Sequence, residues 1–183
     1  MRSGFVGIIC AIALGLLINN GAYAQEGYRR LTINDFQGTP HPQNGSISAT
    51  HCSIDFHYHV RGEKNRYQLT FDIKLIMDKD QSWMDKKRVL SQDLLNEVLN
   101  HEQGHYTIAY MEQQELLRET ARTRFTANYQ AEANALFDRI HIKYEQLNNN
   151  YDEDTQHMCN RTQQHSWDVY FQKRLMYMPP VNV

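Results

Sequence analysis

Residues 91–123 read SQDLLNEVLNHEQGHYTIAYMEQQELLRETART, and the period of this stretch decides the fold class. Leu94, Leu95, Val98, Leu99, Ile108, Ala109 and Leu116 recur at helical spacing, with Gly104 the one helix-weakening residue inside the run. Ser91 stands where an N-cap belongs, because its hydroxyl can accept from a backbone N–H of the first turn. The spacing predicts one long helix from Ser91 to about Thr123.

Upstream the period is two. In 67–77 (YQLTFDIKLIM), Leu69, Phe71, Ile73, Leu75 and Met77 alternate with Gln68, Thr70, Asp72 and Lys74. That is a strand with one wet face. Residues 46–60 (SISATHCSIDFHYHV) read as its partner strand, joined by a hairpin-type loop over Arg61–Asn65. Residues 25–45 read as an extended lead-in, and 78–90 as a charged connection holding Ser82-Trp83-Met84. Downstream, Ala133, Phe137, Ile140, Tyr144 and Leu147 predict a second helix over 127–148, ended by Asn148-Asn149-Asn150. A third helix is predicted over roughly 154–175. Strands first and helices after them argue for an α+β domain.

The 183 residues are 41% apolar and 22% charged, which excludes a disordered polyelectrolyte. The formal net charge of −2 gives no general attraction for nucleic acid or for an anionic membrane. Residues 1–24 (MRSGFVGIICAIALGLLINNGAYA) combine Arg2, an apolar run from Phe5 to Ile18 and the small-residue site Ala22-Tyr23-Ala24. The run is shorter than the roughly 20 residues of a membrane span. The segment therefore reads as a signal peptide cleaved after Ala24, which makes the protein secreted or periplasmic with no membrane span after cleavage. Residues 25–183 then form a single domain. Cleavage removes Cys10 and leaves Cys52 and Cys159, which an oxidising compartment would pair as one disulfide unless both are free and buried.

Nine histidines are many for this length. Two of them, His101 and His105, lie four apart in the long helix and so share one face, one turn apart. Imidazoles so placed can bind one zinc ion, with Glu102 rotated beside them as a base for water. A catalytic zinc needs a third protein ligand. Glu112, Glu115, His141, Asp154, His157 and His165 are the candidates. Glu112 and Glu115 sit two to three turns along the same helix, too far at 1.5 Å per residue. His141 reads as a half-buried spacer. His157, at the start of the third helix, can approach from the side and is favoured, with Asp154 and His165 behind it. Tyr151 is a candidate to hold an oxyanion.

Several short motifs in this order resemble a bacterial family catalogued as a domain of unknown function and described as predicted secreted zinc-dependent proteases. They are Leu31-Thr32-Ile33-Asn34-Asp35-Phe36-Gln37-Gly38, Ser48-Ala49-Thr50, Ser82-Trp83-Met84, Leu99–Tyr106, the run Tyr151–His157, and Gln164 with Trp167. The resemblance implies a zincin-like fold, His101 and His105 as zinc ligands and Glu102 as catalytic base. Its Thr-x-His element implies His157 as the third ligand. The chain departs from the family pattern at Thr107 and Tyr110, and at Met158, which follows His157 where the family has Gly.

The expectation is thus a secreted peptidase with one zinc ion, acting on a peptide or protein substrate. Two rivals use the same scaffold. One is a non-catalytic zinc-binding envelope module, with a closed four-ligand site completed by Cys159 or Asp154. The other is a zinc amidase for a non-protein substrate.

Overall fold

The computed structural model describes residues 27–41, 45–63 and 66–177. Residues 1–24, expected as a signal peptide, and residues 64 and 65 lie outside the described residues. The architecture is α+β: strands β1 (Ser48–Ala49), β2 (Cys52–Glu63), β3 (Arg66–Met77) and β4 (Trp83–Met84) precede helices α1 (Gln92–Arg122), α2 (Tyr129–Thr155) and α3 (Arg161–Tyr177). Among the described residues no helix is long and apolar enough to cross a membrane.

β2 and β3 form an antiparallel hairpin in continuous register from Cys52↔Met77 to Glu63↔Arg66. Arg61, Gly62 and Glu63, expected as loop, therefore belong to β2. The predicted alternation on β3 holds, with Ile73 buried and Gln68, Thr70 and Lys74 exposed. The expected single strand over 46–60 is instead two. β1 pairs with β4, while β2 pairs with β3. The corner between them is pinned by Ser82, fully buried, whose hydroxyl accepts from His51 N at 2.9 Å and donates to Asp78 O at 2.6 Å. The Ser-Trp-Met segment, expected as loop, thus supplies both the corner pin and β4.

α1 starts and stops where its sequence predicts. Ser91 is extended, and its hydroxyl accepts from Leu94 N at 3.2 Å. The helix is about 46 Å long at 1.5 Å per residue, and it is buried on more than its apolar stripe. Val98 and Tyr106 enter one core cluster with Leu31, Phe36 and Met84. Ile108, Met111, Leu116 and Leu117 enter a second with Ile73, Ile140, Tyr144, Tyr151 and Phe171. The buried Gln103 amide on α1 accepts from Leu31 N at 2.7 Å and donates to Arg29 O at 3.1 Å, stitching the lead-in to the helix. The lead-in also holds buried Asp35, bonded to Arg29 and Lys79 at 3.0 and 3.1 Å. Burial acts to raise the Asp35 carboxyl. Its bonds to Arg29, to Thr32 N–H and to Lys79 win and hold it well below the usual carboxylate range.

α2 runs past the predicted end at Asn148 to Thr155, and the Asn run lies inside it. Helix propensity is a weak force of tenths of a kcal/mol per residue. Ile140, Tyr144, Tyr151 and Thr155, all buried on one stripe, override it. α3 accordingly starts later than predicted. Between them, Gln156, His157 and Met158 have φ of 49°, 48° and 73°, a left-handed run without glycine. His157 lies in this joint and not at a helix start. The expected Cys52–Cys159 disulfide is not formed, and both thiols are free. Cys52 Sγ is turned into the core, 3.7 Å from Met77 Sδ, and burial pushes its thiol up to about 12. Cys159 is exposed in the joint.

Candidate metal centre and its cleft

Four elements converge on the middle of α1. The helical offset of four puts His101 and His105 on one face, with their Nε2 atoms 3.2 Å apart. The last turns of α2 bring Asn148, Tyr151 and Asp152. The left-handed joint brings His157. The segment from β1 to Thr50 covers Glu102.

Each helical imidazole is oriented from behind. Asp168 can only accept, so the Gln164 amide turns its Nε2 toward Asp168 Oδ1 at 3.0 Å and toward the Tyr151 hydroxyl at 2.8 Å. Gln164 Oε1 is left facing His101 Nδ1 at 3.2 Å, so that nitrogen carries the proton. Asn148 Oδ1 does the same for His105 Nδ1 at 2.7 Å. Both Nε2 atoms are then bare lone pairs aimed at one point.

Asp152 Oδ1 lies beside that point, 3.3 Å from His101 Nε2 and 3.2 Å from His105 Nε2. His157 Nδ1 is 3.2 Å from the same oxygen. Despite these distances, Asp152 Oδ1 is buried and meets none of the nitrogens at a hydrogen-bonding angle. Donor atoms of His101, Asp152 and His157 all fall within 4.8 Å of one another. Acceptors this close repel unless a cation sits among them. Zinc bound at 2.0–2.1 Å in tetrahedral geometry separates its donors by about 3.3–3.4 Å, and the spacings among His101 Nε2, His105 Nε2 and Asp152 Oδ1, and from that oxygen to His157 Nδ1, match. The residues fit a zinc ion. Without a metal a proton answers the demand. Burial alone would lower the His105 imidazole, but the Asp152 carboxylate beside it and the charge of Glu102 outweigh burial and raise it to about 9. Burial would likewise raise the Asp152 carboxyl. The His101 and His105 imidazoles prevail and drive it far below its usual range.

Glu102 is 1% exposed. Its Oε1 accepts from Ser48 Oγ and its Oε2 from Thr50 Oγ1, both at 2.5 Å. The side chains of 48 and 50 share one side of an extended segment, so the Ser-Ala-Thr spacing serves both oxygens at once. Each carboxylate oxygen still has a lone pair to spare. Glu102, the three histidines and Asp152 line one open cleft of about 410 Å3. His41 and Trp83, with ring centroids 5.3 Å apart, form part of its wall.

The structure thus gathers His101, Glu102, His105 and His157, and it adds Asp152, which the sequence reading passed over. Tyr151 does not reach the cleft. It is fully buried, stacks on His101 at 4.9 Å, accepts from Gln164 and donates to His101 O at 3.0 Å. It orients the His101 ring and is not placed to hold an oxyanion in the cleft. Asp154 accepts from Trp167 Nε1 at 3.0 Å on the surface and is not part of the cluster. His141 pairs with Glu112 at 2.8 Å, Glu115 holds Lys143 and Tyr144, and His165 is exposed on α3. Gln164, Asn148 and Asp168 were also missed as orienting groups. The pairing of Gln164 with Trp167 marked a motif but not its role.

Gln164→Leu should weaken zinc binding by about 10–100-fold, the usual effect of losing a group that orients a ligand. Competition with a chelator of known affinity measures it. An unchanged affinity would mean that His101 is held by packing alone.

Fold and cluster define an α+β protein with a histidine–carboxylate centre carried on a central helix. A family model described as "Bacterial protein of unknown function (DUF922)" matches residues 21–158, and the chain belongs to that family. The match contains Glu102 and all four donor residues and stops short of Gln164. Neither the comparison with curated proteins nor that with solved structures gives a match.

Proposed function

We propose that the protein is a secreted or periplasmic zinc-dependent peptidase. His101, His105 and His157 would hold the ion, and Glu102 would be the general base. One observation carries the reading. Two bare imidazole nitrogens face each other at 3.2 Å beside a buried carboxylate whose two oxygens are both fixed, at the wall of an open cleft. A purely structural zinc site has no use for that carboxylate.

When bound, the ion supplies Lewis acidity, which polarises a peptide carbonyl and makes water beside it a nucleophile near neutral pH. The chain's own residues do the rest. Glu102 takes the proton of the attacking water on a carboxylate oxygen and returns it to the leaving amine nitrogen. Ser48 and Thr50 hold that carboxylate in place throughout. Gln164 and Asn148 keep both imidazoles in the ligating tautomer. His41, exposed beside the nearly buried Trp83, offers a ring face on which a substrate side chain can lie.

A second reading, a non-catalytic zinc-binding envelope module, draws on Asp152, since a fourth protein donor is the mark of a closed site. A zinc amidase would use the same groups as a peptidase, and a substrate panel separates those two. Elemental analysis of purified protein tests the shared premise. One zinc per chain is expected in the wild type and in Glu102→Gln, with loss in His157→Ala. A wild type that takes up no zinc, even after it is added back, would end the peptidase reading. Zinc retained without His157 would overturn that ligand only.

A further inference from the structure

We propose that Asp152 is itself a metal ligand, so that the resting centre has four protein donors and is closed. The inference rests on the metal half of the reading above and goes beyond its three histidines. Three facts lead to it. Asp152 Oδ1 is about equally distant from His101 Nε2, His105 Nε2 and His157 Nδ1, at 3.2–3.3 Å. Those distances suit ligands of one small ion, which tetrahedral zinc places about 3.3–3.4 Å apart. The oxygen is buried and without a hydrogen bond, whereas orienting groups such as Gln164 and Asn148 spend their oxygens on ring N–H groups. A buried carboxylate oxygen left this way is costly unless a cation takes it. Finally, Nδ1 of both helical histidines is already engaged, so Asp152 has no ring N–H there to accept from.

His157 reaches the same oxygen because of how α2 ends. The backbone carbonyl of Asp152 accepts from His157 N at 3.3 Å, and the left-handed run folds the imidazole back over the Asp152 side chain. One residue thus sets the turn with its main chain and meets the His157 ring with its side chain. Four protein donors fill a tetrahedral shell. An incoming small ligand must then displace one donor or widen the shell to five.

The test uses the cobalt-substituted protein, because the visible bands of Co2+ report the number and kind of its donors. Wild type, Asp152→Asn and Asp152→Ala are compared in band position, in metal affinity by chelator competition, and in titration with azide. The Asp152→Asn side chain has nearly the same shape and leaves the capping carbonyl untouched. Melting of each metal-free protein checks that the fold survives. Loss of the carboxylate should shift the bands and weaken metal binding by at least about tenfold. Azide should bind the Asp152→Ala protein at lower concentration than wild type, since the position is open. Superimposable spectra with equal azide titrations would overturn the assignment and leave a three-histidine centre intact. A wild type that binds neither zinc nor cobalt would instead overturn the metal reading itself.

Discussion

Gly104→Ala should destabilise the protein and strip it of metal, although alanine is the better helix former by about 0.8–1 kcal/mol. A methyl group at position 104 would overlap the phenol of Tyr151. That ring cannot swing aside. It is fully buried, donates to His101 O, accepts from Gln164, and packs edge-on against Trp167 and Phe171 at 5.4 Å. Overpacking of this kind costs typically 1–3 kcal/mol and occasionally more. With the propensity gain set against it, a net loss of up to about 2 kcal/mol remains. At roughly 2–4 °C per kcal/mol for a domain of this size, melting should fall by several degrees. The metal defect should be the larger effect, because Tyr151 stacks on His101 and meets His105 edge-on at 5.1 Å. Thermal melts and zinc content, read on the same preparation, check both. A variant that melts higher and keeps its zinc would show that Tyr151 has room to retreat.

Glu102→Gln should abolish most hydrolysis while leaving fold and metal in place. General base catalysis contributes typically 10²–10⁴-fold, so kcat should drop by about that factor. The amide is nearly isosteric, and its oxygen still accepts from one hydroxyl. The hydroxyl facing the new NH2 can rotate to accept from it. Ser48 and Thr50 therefore remain bonded, and the β1 segment stays on α1. Turnover of an unstructured protein substrate, measured beside zinc content, gives the answer. Full activity in a zinc-loaded variant would remove Glu102 from the mechanism. No turnover by the wild type on peptide and cell-wall amide substrates alike would favour the non-catalytic module.

How much of this was legible in the sequence varies with how local the cause is. α1 could be read to the residue at its start, because Ser91 and the apolar period are local signals. The β3 face was legible for the same reason. The end of α2 was not. Asn148-Asn149-Asn150 reads as a stop, and what carries the helix through it is burial of Tyr151 and Thr155 against parts of the chain distant in sequence. That one error hid Asp152, since a helix ended at residue 148 gives no reason to aim residue 152 at His101. The split of 46–60 into two strands was hidden likewise, because its cause is the side chain of Ser82, 31 residues away. His157 was expected beside the helix pair and lies there, although its setting was misplaced: the residue type was informative, the left-handed backbone was not. Gly104 looked like a flaw in a helix and is the clearance for a ring from α2.

The left-handed joint has one more consequence. Three L-residues in that conformation cost about 1–2 kcal/mol each. Only a few backbone bonds lock them, among them Cys159 N to Gln156 O at 3.2 Å and Asn160 N to Thr155 O at 2.8 Å. Everything beyond the joint takes its angular setting from this lock, including α3 and the Gln164 amide behind His101. A helix advances about 100° per residue. Loss of a single codon between 156 and 160 would therefore turn the Gln164 face of α3 away from α1 and withdraw the His157 ring in the same event. His157 apart, length in this short stretch is more constrained than the identity of any one residue in it, so the gene should tolerate substitutions at Gln156, Met158 and Cys159 far better than frame-preserving deletions.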